Sequence, residues 1–374
     1  MIEKYYDGAI EQVAAGLGTV EKNHLLVRYS GQFSVENLND TKQLEKNEDI
    51  FVQVHEFETG EITCAYEPYL TMICDGFRRY MTGTFEEFME TCDVYYLHRP
   101  VLLGYFNQDN TGREEIILLD EVAYEQERML AALERMLCAI ADRHPVLFVL
   151  NRFQLASKST MQLTARFLKC ENCNIGLVLG VSDIQAMPEF LVPDWEMLYE
   201  TLDDGSKIYH IGNSGRKKEE TIDDEKYVDY GSEKVYRKLQ NMVEFLDFDQ
   251  AAYYLETIDR KIKFDNLLVD DAARFRMWLL FVKVSILRQD IPKALEICED
   301  LEKIHLAGKE EECAYEQDYL IATAYMYQGK LKEALEMAGE TYRIAGKMSD
   351  DYRMFLSELL EAKIQMSGWY NIFF

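Results

Sequence analysis

Apolar residues along the first 214 positions form two kinds of run that take turns. Some are short and solid: Leu25-Leu26-Val27 leading to Tyr29, Ile50-Phe51-Val52-Gln53-Val54, Val146-Leu147-Phe148-Val149-Leu150, Ile175-Gly176-Leu177-Val178-Leu179-Gly180-Val181 and Ile208-Tyr209-His210-Ile211. Runs of that length without polar alternation predict strands buried on both faces. The others recur at helical spacing: Tyr6, Ile10, Val13, Ala14 and Leu17 over 3–17, Tyr69, Ile73, Phe77 and Tyr80 over 66–81, and Met129, Leu133, Met136, Leu137 and Ile140 over 120–142, where His144-Pro145 stops the stripe. Further helices are expected near 35–46, 85–92 and 158–169, while Ile116-Ile117-Leu118-Leu119 reads either as a short strand or as a helix start. Solid strands separated by helices predict an α/β domain over 1–214, its largely parallel sheet covered on both faces.

The pattern then changes. Residues 214–226 are polar and almost without apolar side chains, so 215–231 reads as a linker, and 232–374 read as helical throughout. An internal repeat stands out here. Phe248-Asp249-Gln250-Ala251-Ala252, Ile291-Pro292-Lys293-Ala294-Leu295 and Leu331-Lys332-Glu333-Ala334-Leu335 each follow a short turn, and Ala251, Ala294 and Ala334 are 43 and 40 positions apart. A small residue at one point of each unit lets two helices of a hairpin approach closely, while larger neighbours fill the groove to the next hairpin. The units resemble tetratricopeptide-type repeats, most clearly over Ala324-Tyr325-Met326-Tyr327-Gln328-Gly329-Lys330-Leu331-Lys332-Glu333-Ala334-Leu335, although the spacing exceeds the usual period of about 34. An irregular helical bundle is the competing expectation. The apolar ending Trp369-Tyr370-Asn371-Ile372-Phe373-Phe374 is expected either to pack on the last helices or to be a piece cut within a repeat, the second being favoured because a solenoid usually closes on a polar cap.

Composition narrows the function classes. Sixty-seven acidic against 40 basic side chains give a formal charge of −27. That field repels phosphate backbones and anionic headgroups, so neither nucleic acid nor a membrane is an expected partner. No apolar run nears the roughly 18 residues of a membrane span. The opening Met1-Ile2-Glu3-Lys4-Tyr5-Tyr6-Asp7 is charged at once, unlike a secretory signal, and the eight Cys lie mostly inside apolar runs; a cytoplasmic compartment with free thiols is expected.

Arg143-His144-Pro145-Val146-Leu147-Phe148-Val149-Leu150-Asn151-Arg152-Phe153-Gln154-Leu155-Ala156, set between a long amphipathic helix and a second helix-strand pair, carries a family resemblance. It resembles the Walker B strand and following segment of the STAND class of AAA-like P-loop ATPases, the signal-transduction ATPases of large bacterial regulators. The resemblance implies a P-loop NTPase-like α/β domain followed by tetratricopeptide repeats, and a nucleotide site with two parts. In that class the Walker B strand ends in two acidic residues; here those positions hold Asn151 and Arg152. A P-loop needs Gly-x-x-x-x-Gly-Lys-[Ser/Thr], whose backbone N–H groups wrap the phosphates and whose Lys neutralises them. The corresponding stretch here, Ser30-Gly31-Gln32-Phe33-Ser34-Val35-Glu36-Asn37-Leu38-Asn39-Asp40, has one Gly and no Lys, leaving Gly31, Ser34 and Asn37 at the degenerate positions. Asn151 brings no charge to a metal, and Arg152 cannot act as a base.

Other constellations are weaker. Cys170-Glu171-Asn172-Cys173 is a single C-x-x-C without a second pair of ligands, and the six His are scattered without metal spacing. No Gly-x-Ser-x-Gly elbow occurs. The expectation is therefore a non-catalytic regulatory or scaffold module with no cofactor and no metal, binding a protein or peptide through its helical repeats, where Tyr253, Tyr254, Tyr325 and Tyr327 could line the groove. The alternative is a nucleotide-binding ATPase switch with a divergent site. A third reading makes the repeats a sensor of a small ligand or peptide.

Overall fold

The computed structural model describes residues 2–17, 24–29, 34–35, 42, 49–58, 61–108, 122–170, 174–182, 187–203, 207–211, 229–265 and 267–373. Gly31, Asn37, Cys173, the run 116–119, most of the helix expected near 35–46 and nearly all of the polar stretch 215–231 lie outside the described residues. Two compact units result. The first comprises the described residues before Asp229 together with Glu244–Asp247, and the second Asp229–Val243 with the chain from Phe248 onward.

The first unit is built on five parallel strands: β1 (Leu25–Tyr29), β2 (Phe51–Glu56), β3 (Val146–Asn151), β4 (Ile175–Ser182) and β5 (Lys207–Ile211). Their order across the sheet is β2-β3-β4-β1-β5. Helices α1 (Ile2–Gly16), α2 (Tyr69–Tyr80), α3 (Phe85–Thr91), α4 (Arg99–Asn107), α5 (Val122–Ala141), α6 (Lys158–Lys169) and α7 (Val192–Asp203) accompany it. The solid apolar blocks are strands because both faces are covered. On one face Tyr6, Ile10 and Val13 of α1 pack on Leu25, Val27, Leu147, Val149 and Val178. On the other, the Tyr69 ring of α2 meets Phe148 at 4.7 Å and Phe167 of α6 at 5.4 Å. The apolar stripe of α5 is fully buried from Met129 to Ile140 at the positions read from its periodicity.

Glycines decide how near α1 comes to β4. A Cβ at Gly176 would lie 2.6 Å from Val13 Cγ1, and one at Gly180 would lie 2.6 Å from Asn151 Oδ1 and collide with the Tyr6 hydroxyl. Side chains at these two positions would push the helix off the sheet.

Two helices, α4 and α7, are absent from the periodicity reading. Each carries proline in its second position, Pro100 and Pro193. Proline is harmless in a first turn, where its missing N–H has no intrahelical acceptor, so it masks the start of a short helix without preventing it. Similarly α2 starts at Tyr69 rather than at Tyr66, which holds a left-handed φ of 54° just ahead of Pro68.

The second unit is all helical among the described residues: α8 (Glu233–Glu244), α9 (Phe248–Phe264), α10 (Asp271–Leu287), α11 (Ile291–Leu301), α12 (Glu310–Tyr327), α13 (Leu331–Met348) and α14 (Asp351–Phe373). Ala251, Ala294 and Ala334 each occupy the fourth position of a helix and are fully buried. Five residues before each alanine the backbone is left-handed: Leu246 at φ 66°, Gln289 at 63° and Gly329 at 78°. The turns at Gln289 and Gly329 are built alike. Asp290 N–H donates to Ser285 O at 2.8 Å and Lys330 N–H to Tyr325 O at 3.0 Å, while Gln289 N–H and Gly329 N–H reach Ile286 O and Met326 O. These are Schellman closures, which satisfy the last carbonyls of one helix before the next begins. Ala334 then packs with Ala322, Met326, Ala338, Leu360 and Ile364 of the neighbouring helices.

Candidate functional site

In an open parallel sheet, ligands bind outside the carboxyl ends of the strands where successive connections diverge. Strand order locates that point here. The chain leaves β1 for the β2 edge, whereas it leaves the adjacent β4 over β1 to reach β5. The carboxyl ends of β1 and β4, with that of β3 beside them, are therefore the candidate site. Register aligns the last residues of the strands, with Tyr29 opposite Ser182 and Glu56 opposite Asn151.

Polar side chains at these ends bind one another. The Tyr29 hydroxyl donates to Asn151 Oδ1 at 2.6 Å across Gly180, and both side chains are buried. Burial pushes the Tyr29 phenol up to about 12, outweighing the nearby Arg152 guanidinium, so it remains a proton donor at neutral pH. Burial also raises Tyr6 well above the usual phenol range. Gln154, in the turn after β3, donates its Nε2–H to Ser182 O at 3.1 Å and accepts from Ser182 N–H at 3.3 Å. That reciprocal pair fastens the end of β4 to the turn after β3.

A second group forms around Glu56. Its Oε2 accepts from the Ser34 hydroxyl at 2.8 Å and from Val35 N–H at 3.1 Å, and its Oε1 lies 3.4 Å from Arg152 Nε. Arg152 has left-handed backbone, φ 53° and ψ 41°, at the step from β3 into the short turn Phe153–Leu155. A non-glycine residue held there costs of order 1 kcal/mol or more and persists only where its surroundings fix it. The Glu56 and Arg152 side chains are 19% and 22% exposed, so the pair is largely shielded yet still reached by solvent.

Of the positions singled out from sequence, the structure brings Ser34, Asn151 and Arg152 into this region. Tyr253 and Tyr254 lie together in α9 with ring centroids 5.4 Å apart, Tyr253 exposed. Tyr325 and Tyr327 pack instead against the cluster around Ala322 and Ala334 in the α12–α13 hairpin. Tyr29, Glu56, Gln154 and Ser182 were missed by the sequence reading. The signal available for Glu56 and Tyr29 was their place as the last residue of a strand. Among the described residues no group of three or more His, Cys, Asp or Glu is arranged to hold a metal. No protein family, curated protein or solved structure matches the chain.

Proposed function

We propose that this chain is a non-catalytic regulatory or scaffold module, part of a signalling regulator of bacterial type, whose helical repeats bind a protein or peptide and whose ATPase-like α/β unit does not turn over triphosphates. One observation carries the reading: at the diverging strand ends, the groups that would meet a nucleotide are engaged by the chain itself. The Asn151 oxygen accepts from Tyr29, and Glu56 takes up the Ser34 hydroxyl, Val35 N–H and Arg152 together. Hydrolysis would need a cation at the terminal phosphates and a carboxylate for magnesium. The Glu56 carboxylate at this rim is committed to Arg152. Support for the helical half comes from a repeated local build, with a buried alanine five residues after each of the left-handed residues Leu246, Gln289 and Gly329. Such stacked hairpins present extended faces suited to peptides and partner helices.

The ATPase-switch reading is supported by one feature, the location of this rim at the divergence of β1 and β4. Calorimetric titration of the full chain with ATP and magnesium, followed by a phosphate-release assay, separates the two. The scaffold reading expects no heat of binding and no phosphate above the no-protein control. Micromolar binding with turnover would defeat it.

A further inference from the structure

Ser34 and Val35 follow β1, Glu56 ends β2, and Arg152 follows β3, yet the other three converge on the Glu56 carboxylate. A hydroxyl, a backbone N–H and a guanidinium aimed at the same pair of oxygens form the donor set that proteins use for an anionic head group. Here the anion comes from within the chain. Its carrier, Glu56, reaches the donors from a strand end, and both it and Arg152 keep part of their side-chain surface in solvent.

We propose that Ser34, Val35 and Arg152 form a site for a single small oxyanion, a carboxylate or phosphate head, and that Glu56 is its resident occupant, excluding outside anions while it is in place. The inference rests on the reading above in one respect, that Glu56 and no nucleotide holds these donors in the resting chain. Withdrawal of Glu56 then has two linked effects. It leaves the half-buried Arg152 without its counter-charge, and it opens three donors to an oxyanion from outside. Binding in place of Glu56 couples an external anion to the segments that follow β1 and β3, which supply the donors, and releases the side chain at the end of β2.

Chemical rescue of a carboxylate deletion tests this. Glu56→Ala removes the occupant and leaves room for an ion the size of formate. Thermal unfolding of Glu56→Ala and of the unaltered chain is followed in chloride, formate and phosphate at matched ionic strength. The unaltered chain corrects for general salt effects on stability. The site predicts that formate or phosphate raises the variant's midpoint over chloride by about 3 °C or more beyond any change in the unaltered chain. The larger of the two shifts identifies the preferred head. The extra shift should vanish in Glu56→Ala combined with Arg152→Leu. If Glu56→Ala does not fold in chloride, recovery of its circular dichroism on refolding in formate or phosphate supports the site, and failure in all three salts overturns it. Equal midpoints in all three salts, or an undiminished shift without Arg152, would also overturn it. Those results leave the scaffold reading standing, since that is decided by nucleotide binding and turnover in the unaltered chain.

Discussion

Gly180 shows what a single position does in this protein. On β4 it lies beneath Tyr6 and beside Asn151, so that the hydrogen bond from Tyr29 can cross it. In Gly180→Ala the added methyl has backbone behind it and two buried polar groups in front. Overpacking of this kind costs about 1–3 kcal/mol, which urea unfolding should register as a lower midpoint with unchanged slope. Asp318 of α12 poses a different problem. Burial, with Glu302 nearby, pushes its carboxyl up to about 6. An acid raised above its unfolded value of about 3.9 favours the folded chain fully only below that value, and the advantage is lost as pH rises through 6. Asp318→Asn should therefore stabilise the helical unit at pH 7.5, by about 1–2 kcal/mol after allowing for its partial exposure, and change little at pH 4. An equal effect at both pH values would show that ionisation is not its cause.

At the level of the element, the turns into α11 and α13 are one design with different residues. The left-handed residue is glycine in the turn to α13 but Gln289 in the turn to α11. A side chain in that conformation meets the following carbonyl, a strain that glycine lacks. Gln289→Gly should therefore raise stability by about 1 kcal/mol, measured as a higher denaturant midpoint; a fall would mean that the Gln289 side chain contributes more than its backbone strain costs. Most elements could be read from periodicity because a helix or a buried strand is a local pattern: the stripe over α5 and the solid block of β3 lie where the sequence places them. The exceptions have local causes as well. In α4 and α7, proline at the second position hides the start of a short helix.

Across the whole chain, a charge of −27 sets the long-range field. It disfavours approach of polyanions, and a local cation such as Arg152 works against that background. Among the described residues no helix is long and apolar enough to cross a membrane. Sequence alone determined the local layer of this protein: alternating strands and helices followed by a helical half, and the three small residues that are buried in it, all set by neighbours a few residues apart. Tertiary structure decided the order β2-β3-β4-β1-β5 and, through it, which residues meet. Ser34, Glu56 and Arg152 carry no common motif, and Tyr29 is 122 positions from Asn151. They become neighbours because parallel strands place their carboxyl ends along one edge of the sheet, a consequence of long-range pairing that no short window of sequence contains.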